Sequence, residues 1–383
     1  MRVSWHRFDT RTSIGVSSAA ATLIAGGGSG WPDRIVARMR VEATERRCSR
    51  VVSRRMARLI SDCRSAGLVD DSATISWLCA PRFDAAPIFA SAIDDRAGSF
   101  SVIVDGGKPE AQRYIEGTLV CETDIRGPEG LVRITDCLVI DPRGPAAAGE
   151  TGELIRQIHV VEGRARVGMR IAVRYGFGTS SGRWTREGRR TRLPGPGMAL
   201  DLDTDLPLRP DGADLVAVVD LERDQYRVAA LRWQDAKGIG SDLRGRVQNT
   251  ATWWRRWSEA HSPAPEALQL RGLTYSPTGG VVRSATTSLG EVAADGRLCW
   301  MDDQRRALEI FRAIGATSEA DRLESWIDTA PDGDAVRGLA GEPAPGEQGL
   351  DHLSRPVRTG APLGDATGNV PWLPEILASL SAS

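Results

Sequence analysis

The sequence predicts an α+β protein in two parts, an antiparallel β-sandwich followed by helices, and three observations carry that expectation. From Ser61 to about Trp233, short apolar runs are punctuated by turn residues at Asp105-Gly106-Gly107, Arg126-Gly127-Pro128, Asp141-Pro142-Arg143-Gly144-Pro145 and Pro194-Gly195-Pro196-Gly197. Within that stretch Val167, Met169, Ile171 and Val173 alternate with Gly168, Arg170, Ala172 and Arg174, the period of a strand with one buried face. Past Ser241 the pattern turns helical.

The remaining elements follow in order. Arg38 to Arg58 is dense in arginine, and Cys48, Val51, Val52, Met56 and Leu59 share one face at helical spacing, so this run reads as a basic amphipathic helix or a solvated extension. Pro87 to Ile93 reads as a short helix, Val132 and Ile134 as part of a half-buried strand, and Leu215 to Leu221 as a strand buried on both sides. Serine or aspartate at 241–242 caps a helix running through Ala260, with Trp253, Trp254 and Trp257 in its last turns to bury area between domains. After a break at Ser262-Pro263-Ala264-Pro265, helices are expected at about Asp303–Ile314 and Ser318–Thr329, with a short one at Pro374–Leu380.

Composition narrows the function. A chain of 383 residues, 41% apolar and 26% charged, can bury two cores. The net charge of -1 gives no field to draw in nucleic acid or an anionic membrane, so neither is an expected partner. Six scattered cysteines and the four histidines His6, His159, His261 and His352 lack metal-ligand spacing, and no phosphate-binding loop is present, so no metal or cofactor is expected. The cysteines read as reduced core residues. No apolar run reaches the length of a membrane helix, and the Ser17–Ala25 stretch lacks a clean cleavage site, which points to the cytoplasm.

Two motifs go further. Trp77-Leu78-Cys79-Ala80-Pro81-Arg82-Phe83-Asp84 comes first; Leu273-Thr274-Tyr275-Ser276-Pro277-Thr278-Gly279-Gly280, Thr286-Thr287-Ser288-Leu289 and Cys299-Trp300-Met301-Asp302-Asp303 follow in that order. Together they resemble glycoside hydrolase family 15, the glucoamylase and trehalase group. The resemblance implies a β super-sandwich followed by an (α/α)6 toroid of six hairpins. It divides the chain into a poorly matched basic extension (1–58), the sandwich (59–240), a linker helix (241–262) and a partial toroid (263–383). Only about 140 residues follow Ser241, room for about a third of six hairpins at ordinary element lengths. Apolar helix faces left open in such a fragment would favour a second copy or another partner.

The implied function is hydrolysis of an α-glucosidic bond, in trehalose or a short α-glucan, with inversion. The family motif Asn-Trp-Asp-Tyr-Arg-Tyr-Cys-Trp-Leu-Arg-Asp aligns with Ala293 to Asp303, matching at Asp295, Arg297, Cys299, Trp300 and Asp303. The resemblance makes Trp300, Asp303, Asp295 and Arg297 substrate-binding candidates, with Asp303 gripping sugar hydroxyls beside the Trp300 wall. Asp302 stands where the family has arginine, so a hydroxyl is expected to lose a donor and two carboxylates to repel. Inversion needs a proton-donating acid and a water-activating carboxylate about 6.5–9.5 Å apart. Gly341-Glu342 and Asp351 to Gly360 look like the segment preceding the family's acid, yet its Gly-x-Trp-Glu segment does not occur up to Ser383. Glu342, Glu347 and Glu375 are available carboxylates, and no catalytic residue is assigned. The alternative reading is an inert relative that binds sugar or a protein partner.

Overall fold

The computed structural model describes residues 57–145, 152–187, 190–233, 242–287, 296–329, 336–342 and 373–382. A large antiparallel β-region comes first and helices follow. Its organising element is one strand, Gly152–Ala172, whose 21 residues serve two sets of partners. Residues 152–163 pair with Tyr226–Trp233 on one side and Gly130–Leu138 on the other. Residues 164–172 pair with Asp214–Glu222 and Ser99–Val104. The change of partners falls at Gly163, where φ is +61° and an added Cβ would come within 1.9 Å of the Glu129 carbonyl oxygen. Only glycine fits a backbone so placed.

Alternation along this strand buries Val167, Met169 and Ile171. Arg170 on the other face is half-covered and meets Asp214, which also takes Arg174, so that face is closed by charge rather than left wet. Asp214–Glu222 is buried through Ala217 and then opens to solvent at Asp220 and Glu222, so the expected two-sided burial holds for its first half. Side chains from both sets, including Phe100, Val102, Met169 and Ile171 with Ile134, Leu154, Ile158 and Leu231, pack into one cluster. Inside the β-region, Arg156 donates Nε to Asp136 Oδ1 at 2.7 Å and Nη2 to Oδ2 at 2.9 Å, both side chains fully buried.

Two sequence expectations fail here. Pro87–Phe89 is a fully buried strand against Thr74–Cys79, because Ile88 and Phe89 find partners there; only a single turn follows at Ala90. Ala57–Ser61 is also a strand, so the helical spacing expected through Leu59 does not hold over it, and residues 38–56 lie outside the described residues.

Five helices are described: α1 (Leu243–Ala260), α2 (Pro265–Gly272), α3 (Met301–Ala313), α4 (Thr317–Asp328) and α5 (Leu373–Ala382). Asp242 caps α1 by accepting from the Gly245 N–H at 2.9 Å. Trp254 and Trp257 of α1 are buried in a second cluster shared by sheet residues such as Trp77, Ile140 and Ile155 and helix residues such as Leu270, Phe311 and Leu377. Arg246 of α1 and Arg232 of the sheet both reach the buried Glu153, at 2.7 and 2.6 Å. The α2 helix was not expected; proline at its first position and Glu266 in its first turn are its start signals. All five described cysteines are buried. No described helix is long and apolar enough to cross a membrane.

At the junction of sheet and helices, Ser61 Oγ donates to the Gly272 carbonyl at 2.6 Å and the Ser276 N–H to the Cys63 carbonyl at 2.9 Å. The loop between them is organised by buried Asp62, which accepts from the Arg64 and Ser65 amides. Burial pushes the Asp62 carboxyl up to about 6, against the pull of those amides.

Two predictions follow from these buried acids. Asp136→Ala strands the Arg156 charge and costs roughly 3–5 kcal/mol in urea unfolding, while Asp136→Leu with Arg156→Met costs less. A loss below 1 kcal/mol for the single variant contradicts it. Asp62 binds its proton more tightly folded than unfolded, so its contribution to stability grows as pH falls from 6 to 4, by roughly 3 kcal/mol. Measured against Asp62→Asn, wild type should gain on acidification; a pH-independent difference removes the claim.

Candidate active site

The site is built where the chain enters α3. Cys299–Trp300 pairs with Val336–Arg337, and the helix starts at Met301 with two acids in its first turn, where the helix dipole favours them. Successive helical residues point about 100° apart. Asp302 therefore faces solvent, its side chain 95% exposed, while Asp303 turns inward and is 4% exposed. Next along the helix, the buried Gln304 amide accepts from the Val281 N–H and donates to the Val281 carbonyl, both at 2.8 Å. That clasp fixes the segment carrying Arg283, whose own N–H bonds the Leu298 carbonyl and whose carbonyl accepts from Leu373 at the start of α5.

Arg283 Nε donates to Asp303 Oδ2 at 2.6 Å, and the guanidinium carbon lies 3.9 Å from the centroid of the Trp300 ring. Trp300 is half-buried, and its Nε1–H has no acceptor among the described residues. The expected clash of two carboxylates is thus corrected: Asp302 is in solvent, and the group beside Asp303 is a guanidinium from twenty positions upstream. Arg297 is fully buried and donates to the Ala85 carbonyl at 2.8 Å, so it ties the helical part to the sheet. Asp295 lies outside the described residues, as do Glu347 and Asp351–Gly360.

A second wall comes from the β-region. The loop 80–86 carries Arg82, which donates to Asp84 at 2.9 and 2.5 Å, stands 3.9 Å from Glu342 and lies over the Tyr275 ring. Hydrogen bonding to Asp84 first, then that charge, raises the Arg82 guanidinium further above its usual range. Phe83 meets Tyr275 edge-on at 6.3 Å. Burial, then the charges of Asp84 and Glu342, drives the Cys299 thiol well above its normal range, so it stays protonated and inert. His159 stacks on Tyr226, and His261 packs against Trp257, both away from this wall.

Residues 48–203 match the family described as trehalase-like, N-terminal. The chain is similar in sequence to trehalases. A trehalase of Mycolicibacterium smegmatis is 29% identical over 352 residues, covering 79% of this chain and 52% of that protein. A trehalase of Mycobacterium tuberculosis is 26% identical over 351 residues, with the same coverage. The chain thus spans about half the length of these curated relatives. The crystal structure of a bacterial glucoamylase complexed with acarbose shares the fold, with a TM-score of 0.55 at 10% identity, over 75% of this chain and 52% of the glucoamylase.

The trehalase-like match includes the loop 80–86, so that domain reaches the second wall directly. Sequence reasoning missed Arg283 and Gln304. A charged residue between Val282 and Ser284 in an otherwise small, apolar run was the available signal for Arg283; Gln304 offered none.

Arg297→Met keeps the length but leaves the Ala85 carbonyl without that donor, and should lower stability by about 1–3 kcal/mol. Thermal or urea unfolding measures this. Unchanged stability with lost sugar affinity would return Arg297 to a binding role.

Proposed function

We propose that this chain is a glycoside hydrolase of the trehalase or glucoamylase type, acting on the α-glucosidic bond of trehalose or a short α-glucan with inversion, and that Trp300 and Asp303 grip the glucose unit. The observation that carries this reading is Asp303, an almost closed carboxylate held at a helix start beside a half-exposed indole, in a chain similar to trehalases over 79% of its length. A carboxylate accepts from the hydroxyls of a sugar, and an indole covers the apolar face of its ring. On this reading the shared strand Gly152–Ala172 makes the β-region a super-sandwich, and the α3–α4 hairpin is one of the six of a toroid.

Inversion is a single displacement: one acid protonates the leaving oxygen while a second carboxylate takes a proton from water on the opposite face. Three acids of the two walls are already engaged: Asp303 is held by Arg283 and Asp84 by Arg82, while Glu342 accepts from the Ala340 N–H. Those committed acids favour a second reading, a sugar-binding relative without turnover.

One experiment separates the two. Trehalose and maltose are titrated against the chain by thermal shift and glucose release, with Trp300→Ala and Asp303→Asn alongside. Binding at a hundredfold excess over Kd stabilises by about 2.7 kcal/mol, a rise of several degrees. Stabilisation lost in both variants supports the glucose grip; accompanying glucose release selects the hydrolase, and its absence the binder. No stabilisation and no release by wild type overturns both.

A further inference from the structure

We infer that Arg283 is the positioning residue of the glucose site, holding Asp303 with one oxygen turned toward the sugar and backing the Trp300 ring so that its other face receives the sugar. The inference rests on the proposed glucose grip and assigns a role to a residue that the motif alignment passes over.

Two separate segments, the 298–303 run and the start of α5, converge on Arg283. Its backbone is fixed to Leu298 and Leu373, its Nε–H to Asp303, and its flat face to Trp300. Only a planar cation can stack on an indole and direct an N–H at a carboxylate in one pose. With 19% of its side chain exposed, Arg283 lies at the boundary between core and solvent, where a ligand can meet the groups it orients.

The manner of pairing distinguishes this ion pair from the others in the fold. Asp136 gives both oxygens to Arg156. Asp124 spreads its two over Arg133 and Arg113, and Glu153 gives one each to Arg232 and Arg246. Those carboxylates are consumed by structure. Asp303 gives only Oδ2 to Arg283, leaving its second oxygen without a partner among the described residues. A sugar hydroxyl is the donor that this oxygen can take while Arg283 neutralises the charge beneath it. The guanidinium covers one face of Trp300, so the ring can present only the opposite face to the sugar.

Trehalose and maltose affinities by calorimetry test this in Arg283→Met, Asp303→Asn and the double variant. Arg283→Met should weaken binding at least tenfold, and in the Asp303→Asn background it should cost much less, because its target is gone. Arg283→Lys keeps the charge but not the flat stack and should recover part of the affinity; it also serves if the methionine variant does not fold. A merely structural arginine would lower the melting temperature without this coupling. Wild-type affinity in Arg283→Met, or equal losses in both backgrounds, overturns the inference and leaves the glucose grip standing. No binding by wild type removes the grip itself.

Discussion

The candidate site depends on one buried amide. Gln304 closes both backbone valences of Val281, so the chain segment leading to Arg283 and the first turn of α3 are held at a fixed spacing. A buried donor and acceptor satisfied by a single side chain gain twice from one ordered rotamer, and either left open would cost a desolvation penalty of about 1–3 kcal/mol. Because Asp303 precedes Gln304 and Arg283 lies two residues beyond Val281, the ion pair inherits its geometry from this clasp. The Trp300 carbonyl also accepts from the Gln304 amide at 3.3 Å, which extends the same restraint to the indole. Three side chains of the site thus share one anchor.

That anchor would be loose without the β-region beneath it. The loop 80–86 receives Arg297, sets Phe83 edge-on to Tyr275 and aims Arg82 at Glu342, while the Ser61–Ser65 turn bonds the end of α2 and the start of the Leu273–Gly280 motif. The two motifs read from the sequence, some two hundred residues apart, are therefore the two sides of a single junction. A shared apolar cluster from Trp77 to Trp254 and Phe311 seals it. Sheet and helices here are one core, and a site built on both is as rigid as that core.

Much of this was legible in the sequence. Periodicity of two located the second half of the Gly152–Ala172 strand, and aromatic density and Asp242 located α1. What stayed hidden has a common cause. Neighbours in sequence are not neighbours in space on a helix, so Asp302 and Asp303 were read as repelling although one faces water and the other an arginine. Arg297 matches its motif, yet no motif tells that one of its N–H groups meets the Ala85 carbonyl across the chain. Pro87–Phe89 reads as a helix until a partner strand is available, since short apolar runs fit either element. The α2 helix was masked by the prolines on either side of Ala264, one of which starts it.

The near absence of lysine, confined to Lys108 and Lys237, also changes meaning in three dimensions. Whatever set the composition, the fold has come to rely on a fork that lysine lacks. Arg156 spans both oxygens of Asp136 and still reaches the Phe100 carbonyl with a third N–H, and Arg133 spans both oxygens of Asp124. A point charge could neutralise these acids but could not fix their planes. The same property lets Arg283 orient a carboxylate through one N–H while its flat face rests on an indole, two contacts at right angles from one rigid group. A chain that already satisfies its buried acids with guanidinium groups can thus build an oriented acceptor for a sugar hydroxyl with a residue type it uses throughout.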